Sequence, residues 1–477
     1  PRRRFSPALS MPVYRLRMVS TGRISARGRL CVFALLCGAA LPASAETLDS
    51  ALIRAYAANP QLNASRAGLR ATDENVAIAQ AGYRPRVAVD ADLGVQKFDG
   101  VLSGTRINQT TLPGGAGITV NQPLFNGFQP DTATRQAEST VYSQREGLRT
   151  TEMTVLYSAV QAYMAVLSDT ATLELRRNNV EVLEEQLRQT RDRFNVGEVT
   201  RTDVAQAEAR LAGARSDVSA AEAQLRASIG LYRQFVGVEP RQLAPGRPLD
   251  RYVPGSLDGA IEIGLKEHPS ILSALHQVDA AEAQVKVLEG QLYPTVALQG
   301  QVNQRYDQQL AGSNGVSTTI LGRLTVPIYE GGQTYAQIRQ AKELVGQSRI
   351  QVEQSRDQIR AAIVSAWGQL ESAKARVIAS QAQVQANEVA LNGVREEARV
   401  GQRTTLDVLN AQATVLDAQV AQIQAQRNLV VSSYALASAV GRLTASRLGL
   451  NVRQHDPEEH YNAVKDLWYG LRTPDGR

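Results

Sequence analysis

The side chains in this sequence that could do chemistry are few, and most stand in one motif written twice. Val196-Gly197-x-x-Thr200-x-x-Asp203-Val204 and Val400-Gly401-x-x-Thr404-x-x-Asp407-Val408 share every fixed position. Glycine ends a helix in the left-handed region, and a threonine three residues on opens the next helix as its N-cap. Asp203 and Asp407 follow three residues later, where a carboxylate bonds back to the N–H of the cap. The motif is first a clasp between two helices, and that account is complete without a further role. Catalytic patterns are missing: no G-x-S-x-G, Walker or H-E-x-x-H run occurs. His268 and His276 stand about 80° out of line on a helix, so they make poor joint metal ligands. His455 and His460 lie in a polar tail. The reading is a non-enzymatic protein without cofactor or metal.

The clasp is one block of a duplication that organises most of the chain. Residues 47–62, TLDSALIRAYAANPQL, match residues 256–271, SLDGAIEIGLKEHPSI, with Leu48/Leu257, Asp49/Asp258, Ala51/Ala260 and Pro60/Pro269 at one offset. Tyr83-Arg84-Pro85 and Leu292-Tyr293-Pro294 keep that offset. Pro123-Leu124-Phe125-Asn126-Gly127 then matches Pro327-Ile328-Tyr329-Glu330-Gly331, and the halves close on Val236-Gly237 and Val440-Gly441.

Each half reads as helix, two strands, very long helix, tight turn, helix. Val87, Val89, Ala91, Leu93 and Val95 alternate with Ala88, Asp90, Asp92, Gly94 and Gln96, and Val296, Leu298 and Val302 alternate with Ala297, Gln299, Gln301 and Asn303. Strands are expected over about 86–98 and 110–122, then about 295–305 and 317–328, with polar tips at Asp99–Gln109 and Asp307–Thr319. One apolar and one polar face suits a lipid-facing, water-lined barrel. A half-buried soluble sheet has the same alternation. The long helices are expected from about Gln129 to Asn195 and about Gln333 to Arg399, each spanning about 100 Å. Ile363, Leu370, Val377, Val384 and Leu391 repeat every seven residues, with mostly small Ala366, Ala373, Ser380 and Asn387 beside them. Val166, Leu173, Val180, Leu187 and Phe194 keep the same heptad, which specifies coiled-coil packing.

Charge and cysteine locate the chain. Of 52 Lys+Arg, eight arginines fall within residues 1–45, which hold no acid. The other 44 bases face 46 acids, a net of −2, so the formal +6 belongs to the N-terminal stretch and gives no reason to expect a nucleic-acid partner. Arg23, Arg27 and Arg29, the apolar run Leu30–Leu41 and Ala43-Ser44-Ala45 have the three parts of a secretory signal, with cleavage expected between Ala45 and Glu46. Leu35-Leu36 before Cys37 does not fit a lipidation box. Cys31 and Cys37 would leave with the leader, so disulfides and Cys-metal sites are excluded from the mature chain.

Helix and strands constrain each other. A thin subunit cannot bury so long a helix, and four strands cannot close a barrel that needs about eight. Three copies would supply twelve strands in one shared barrel and a ring of helices continuing it. At this point the duplicated halves, the P-L-F-N-G and P-I-Y-E-G-G junctions and the V-G-x-x-T-x-x-D-V turns resemble the TolC family of outer-membrane channel-tunnels, over essentially the whole mature chain.

The resemblance implies a mainly α fold with a small β-barrel contribution: a homotrimer with a twelve-stranded barrel in bacterial outer-membrane lipid and a coiled-coil α-barrel across the periplasm. It divides the chain into a leader (1–45), two repeats (46–255 and 256–442) and a C-terminal tail (443–477). It implies that Val196, Gly197, Thr200, Val400, Gly401 and Thr404 form tips contacted by a periplasmic adaptor. Asp407 and Asn410 match the two acidic rings of the family's pore constriction. The asparagine halves the acidic complement, and three Asp407 carboxylates would raise one another's pKa. Arg403 matches a latch residue whose partners match Thr202 and Asp203; a solvated surface arginine is the plain alternative. The tail, His455 through Leu471, resembles the branch serving type I protein secretion with an inner-membrane ABC transporter. The alternatives are a multidrug-efflux duct with a proton-driven pump and, in another class, an exported coiled-coil structural or adhesive protein.

Overall fold

The computed structural model describes residues 46–102, 104–249, 254–308 and 311–476. The leader, with its expected cleavage residue Ala45, lies outside the described residues. Glu46 is buried: its carboxylate accepts from Tyr232 and Arg54 (2.8 Å each), and its backbone pairs with the segment around Leu243.

Both halves begin alike because their caps are alike. Thr47 caps α1 (Leu48–Ala58), and Asn59 caps α2 (Pro60–Gln80), with proline at the first position. Ser256 caps α5 (Leu257–Glu267), and His268 caps α6 (Pro269–Gly290) in the same way. His268 Nδ1 accepts from the Ser270 N–H at 3.1 Å. Burial, then the charge of Arg149, pushes its pKa down to about 4, so it works as a neutral cap.

The long helices occupy the expected intervals. Helix α3 runs Gln129–Asn195 and returns as α4 (Arg201–Val236); α7 runs Gln333–Arg399 and returns as α8 (Thr405–Ala439). The heptad stripe of α7 is buried at Ile363, Leu370, Val384 and Leu391, with small Ala366, Ala373 and Ser380 beside it. Asn387 bridges to α8 by donating to the Thr414 carbonyl. In α3, Val166, Leu173 and Leu187 are buried, whereas Phe194 is exposed where the chain reverses. The main core lies where α1, α2, α3, α4 and α8 converge, around fully buried Tyr163 and Tyr232. A last helix, α9 (Pro457–Val464), lies on α2. Among the described residues no helix is long and apolar enough to cross a membrane.

The strands differ from expectation in one place. The first-half pair does not run unbroken over 86–98 and 110–122. Strand β1 (Arg86–Leu93) stops at Gly94, and the chain continues as β2 (Gln96–Leu102) and β3 (Thr105–Thr111), which pair with each other, before β4 (Gly114–Asn126). Pro113 has no N–H for a ladder, and the Gly94 N–H bonds its carbonyl at 2.8 Å, so one hairpin becomes two. In the second half, β5 (Thr295–Tyr306) and β6 (Asn314–Thr325) pair without interruption; β6 begins and ends earlier than 317–328, stopping short of Pro327.

The four longer strands form an antiparallel sheet in the order β1-β4-β5-β6. Register aligns Val87 with Val120, Val89 with Ile118, Ile118 with Val302, and Val296 with Leu324, making one apolar face across all four. The opposite face carries Asp92, Thr119, Gln301 and Arg323, and there Arg305 reaches over β4 to pair with Asp92. Strand passes to helix through left-handed residues in both halves, Gly127–Phe128 and Gly331–Gly332. A Cβ on Gly127 would stand 2.2 Å from the Gly290 carbonyl oxygen, so glycine there permits α6 to approach.

Gly264 of α5 is also a contact glycine: a Cβ would stand 2.3 Å from Ile363 Cδ1, which is fully buried. Gly264→Ala is expected to overpack this seam by about 1–3 kcal/mol and lower the melting temperature. Adding Ile363→Val, which deletes the obstructing methyl, should recover part of the loss in the same thermal melts.

Candidate functional site: the paired helix tips

The two clasps form as their residues dictate. Gly197 and Gly401 adopt φ of +80° and +81°. The N–H of Glu198 reaches the Arg193 carbonyl, and that of Gln402 the Glu397 carbonyl, at 2.9 Å each, closing the ends of α3 and α7. Thr200 and Thr404 then cap α4 and α8 with complete capping boxes. The Thr200 N–H donates to Asp203 Oδ2 at 2.8 Å, and the Thr404 N–H to Asp407 Oδ2 at 3.0 Å; both threonine hydroxyls donate to the same oxygens.

These bonds set the electrostatics. Asp203 is held below the ordinary carboxylate pKa by the Thr200 hydroxyl and N–H, and Asp407 by the Thr404 N–H and hydroxyl. Within one chain the cap thus acts on Asp407 in the direction opposite to a ring of like charges. Both aspartates are anionic at neutral pH.

Each tip also has an ion pair, with the charges reversed between them. At the first, Arg193 at the helix end bonds Glu198 in the turn at 3.0 Å. At the second, Glu397 at the helix end accepts from Arg403 in the turn at 2.8 Å. Arg403 is therefore bonded within its own turn rather than to Thr202 or Asp203. Asp203 Oδ2 is engaged by its cap, and Thr202 is exposed in the first turn of α4. The tips nevertheless face one another across a cleft of about 330 Å³ that Arg193, Glu198, Asp203 and Arg403 all line.

What brings them together is apolar. Leu409 of α8 is buried among Leu183 and Leu187 of α3 and Leu211 of α4. One residue further, Asn410 Oδ1 accepts from Arg210 of α4 at 2.5 Å. Leu409, Arg210 and Glu397 were not singled out by sequence reasoning. Only Glu397 left a trace, as the charge-reversed counterpart of Arg193 at the same place in the repeat. Val196 and Val400 project from the two turns, 72% and 70% exposed.

Duplicated coiled-coil hairpins rising from an open, two-faced sheet are the form of a channel-tunnel subunit. The profile of a family described as "Outer membrane efflux protein" matches residues 51–234 and 260–442, one segment per repeat. The outer membrane efflux protein BepC of Brucella suis is 46% identical over 449 residues, covering 93% of this chain and 96% of that one. The alkaline protease secretion protein AprF of Pseudomonas aeruginosa is 24% identical over 390 residues, covering 76% of this chain and 77% of its own. The crystal structure of the Campylobacter jejuni CmeC outer membrane channel superposes with a TM-score of 0.75 over 88% of this chain and 89% of that one; at 16% identity it speaks to fold alone. The chain belongs to the outer membrane efflux protein family, that of TolC. It is an outer-membrane channel protein that extends into the periplasm.

Loss of a capping box costs about 1 kcal/mol, concentrated at the tips. Thr200→Ala and Thr404→Ala are each expected to speed amide exchange in the first turns of α4 and α8 and leave the sheet unchanged. Because the folded-state pKa values of Asp203 and Asp407 are lowered, the boxes stabilise at any pH above the usual carboxylate range and weaken only as pH falls through the lowered values. Exchange at these turns should therefore be constant from pH 8 to 5, apart from the intrinsic rate.

Proposed function

We propose that three copies of this chain close one barrel and one tunnel, forming a passive export duct. The observation that carries the reading is the open sheet. Strands β1 and β6 lie at its edges and, among the described residues, pair with nothing on their outer sides. Sheet edges are not stable in hydrocarbon. The outer edge of β6 is antiparallel to the outer edge of β1 in the next copy, so rotation closes the sheet at twelve strands. The apolar face, with Val89 71% and Ile320 75% exposed in the single chain, then meets lipid. Helix α7 supports the same assembly: Ile350, Val364 and Ile378 recur every fourteen residues on its outer side and are exposed in one chain.

In this duct the tips are the periplasmic entrance. Val196, Gly197, Thr200, Val400, Gly401 and Thr404 would present the shape that an adaptor engages, fixed by the caps. Three Asp407 carboxylates would ring the constriction, while Asn410 is drawn toward Arg210 and adds no charge. Arg403 holds the second turn through Glu397, so an adaptor that competes for either residue would loosen the tip. The Asp407→Ala channel, reconstituted in planar bilayers under a salt gradient, should show a reversal potential closer to zero than the parent. An unchanged potential rejects the ring.

The cargo reading is type I secretion: protein handed from an inner-membrane ABC transporter through an adaptor to the exterior. The form of the tail and the likeness to a protease-secretion protein support it. Efflux of small molecules with a proton-driven pump is the second reading, favoured by the 46% identical relative whose name is that of an efflux protein. Deleting the gene separates them. Loss of one or more secreted proteins at unchanged drug susceptibility supports secretion, and raised susceptibility with an unchanged secreted proteome supports efflux.

A further inference from the structure

The C-terminal tail climbs the outside of the first repeat in one direction. The His455 N–H donates to the Tyr56 hydroxyl of α1 at 3.0 Å. Further on, His460 Nδ1 meets the carboxylate of fully buried Asp73 in α2, also at 3.0 Å. Val464 is completely buried, and the carbonyl of Leu467 accepts from Arg84 at 2.5 Å. Residues 455, 460 and 467 thus meet residues 56, 73 and 84 in order. The strap follows α2, about 30 Å long, toward the sheet.

Its end stands where the sheet begins. Arg84 is two residues before β1, and its guanidinium lies 4.9 Å from the ring centroid of Trp468. The turn carrying Arg84 is tied to β4, because the Gln122 amide donates to the Tyr83 carbonyl at 2.9 Å. The apolar face opens three residues past Arg84, at Val87. At this level other exposed aromatics flank the strand ends: Tyr83 before β1, Tyr293 before β5 and Tyr329 after β6.

Beyond Leu467 the strap buries little. Trp468 is 66%, Tyr469 92% and Leu471 fully exposed, an apolar cluster that water does not favour. Lys465 and Arg472 flank it. Trp and Tyr with neighbouring cations are the composition that partitions into the headgroup region of a bilayer, ring in the acyl boundary and polar edge in water. We propose that Trp468, Tyr469 and Leu471 are an interfacial anchor that inserts into the periplasmic leaflet of the outer membrane at the base of the barrel. The lipid surface is their partner, and Arg84 sets the depth at which they enter.

The inference rests on the channel reading above, and the test separates the two. The chain has two tryptophans, and Trp367→Phe leaves Trp468 as the reporter. The full-length variant is reconstituted into phosphatidylethanolamine–phosphatidylglycerol vesicles, with and without lipids brominated near the headgroup. Ion conductance of the same vesicles reports the channel independently. The anchor predicts blue-shifted Trp468 emission that is lost in brominated vesicles and protected from aqueous acrylamide. Emission untouched by bromine overturns it, whether Trp468 is quenched by acrylamide, and so in water, or by neither agent, and so covered by a second copy. Should Trp367→Phe not assemble, subtracting the Trp468→Phe spectrum from that of the parent isolates the same signal.

Discussion

The outer edges of β1 and β6 leave a row of backbone N–H and C=O groups without partners in the described chain. In hydrocarbon each unsatisfied group costs several kcal/mol, so this sheet cannot stand in a membrane as one copy. The requirement reaches the rest of the molecule. In the proposed assembly, closing the sheet by rotation would bring the helices below it into a ring, and the apolar residues left outside on α7 would acquire neighbours. Both the lumen and the ring of helices would follow from pairing one kind of edge.

Below the sheet the problem is length. A helix of 67 residues has little of its surface covered by a single partner. Repetition of the heptad in α3 and α7 lets each helix pack against a shorter return helix, and the small residues beside the stripe let the backbones approach. The tips are where this regular packing has to reverse, and each does so with the same devices: a left-handed glycine, a threonine cap and an aspartate completing the box. The duplicated turns differ in the direction of their ion pairs, Arg193 to Glu198 and Glu397 to Arg403, so they are two similar shapes with opposite charge order.

The tail adds a third layer. The bond of His460 to buried Asp73 and the Arg84–Leu467 bond hold it along α2. It ends in exposed aromatics at the junction of sheet and helices. Sheet, helices and strap therefore meet at one level, which is the lipid–water boundary in the proposed assembly.

The sequence by itself determined everything that repeats at short range. Alternation in Val87–Leu93 marks a two-faced strand. The seven-residue spacing from Ile363 to Leu391 marks the coil, and G-x-x-T-x-x-D marks each turn, because these features depend on residues within a few positions. Even the bounds of the two long helices were legible, each framed by glycine at its ends. The break at Gly94 was less legible, since it comes from Pro113, across the hairpin. Only the tertiary structure decided that Asn410 faces Arg210, that Leu409 joins the two hairpins, that Arg403 closes on Glu397 and that the tail reaches Arg84. Three of these four contacts join segments far apart in the chain, and which faces of long helices meet is fixed by packing. The fourth joins residues six apart, where Arg403 feels the carboxylates of both Glu397 and Asp407 and the folded turn bonds it to Glu397.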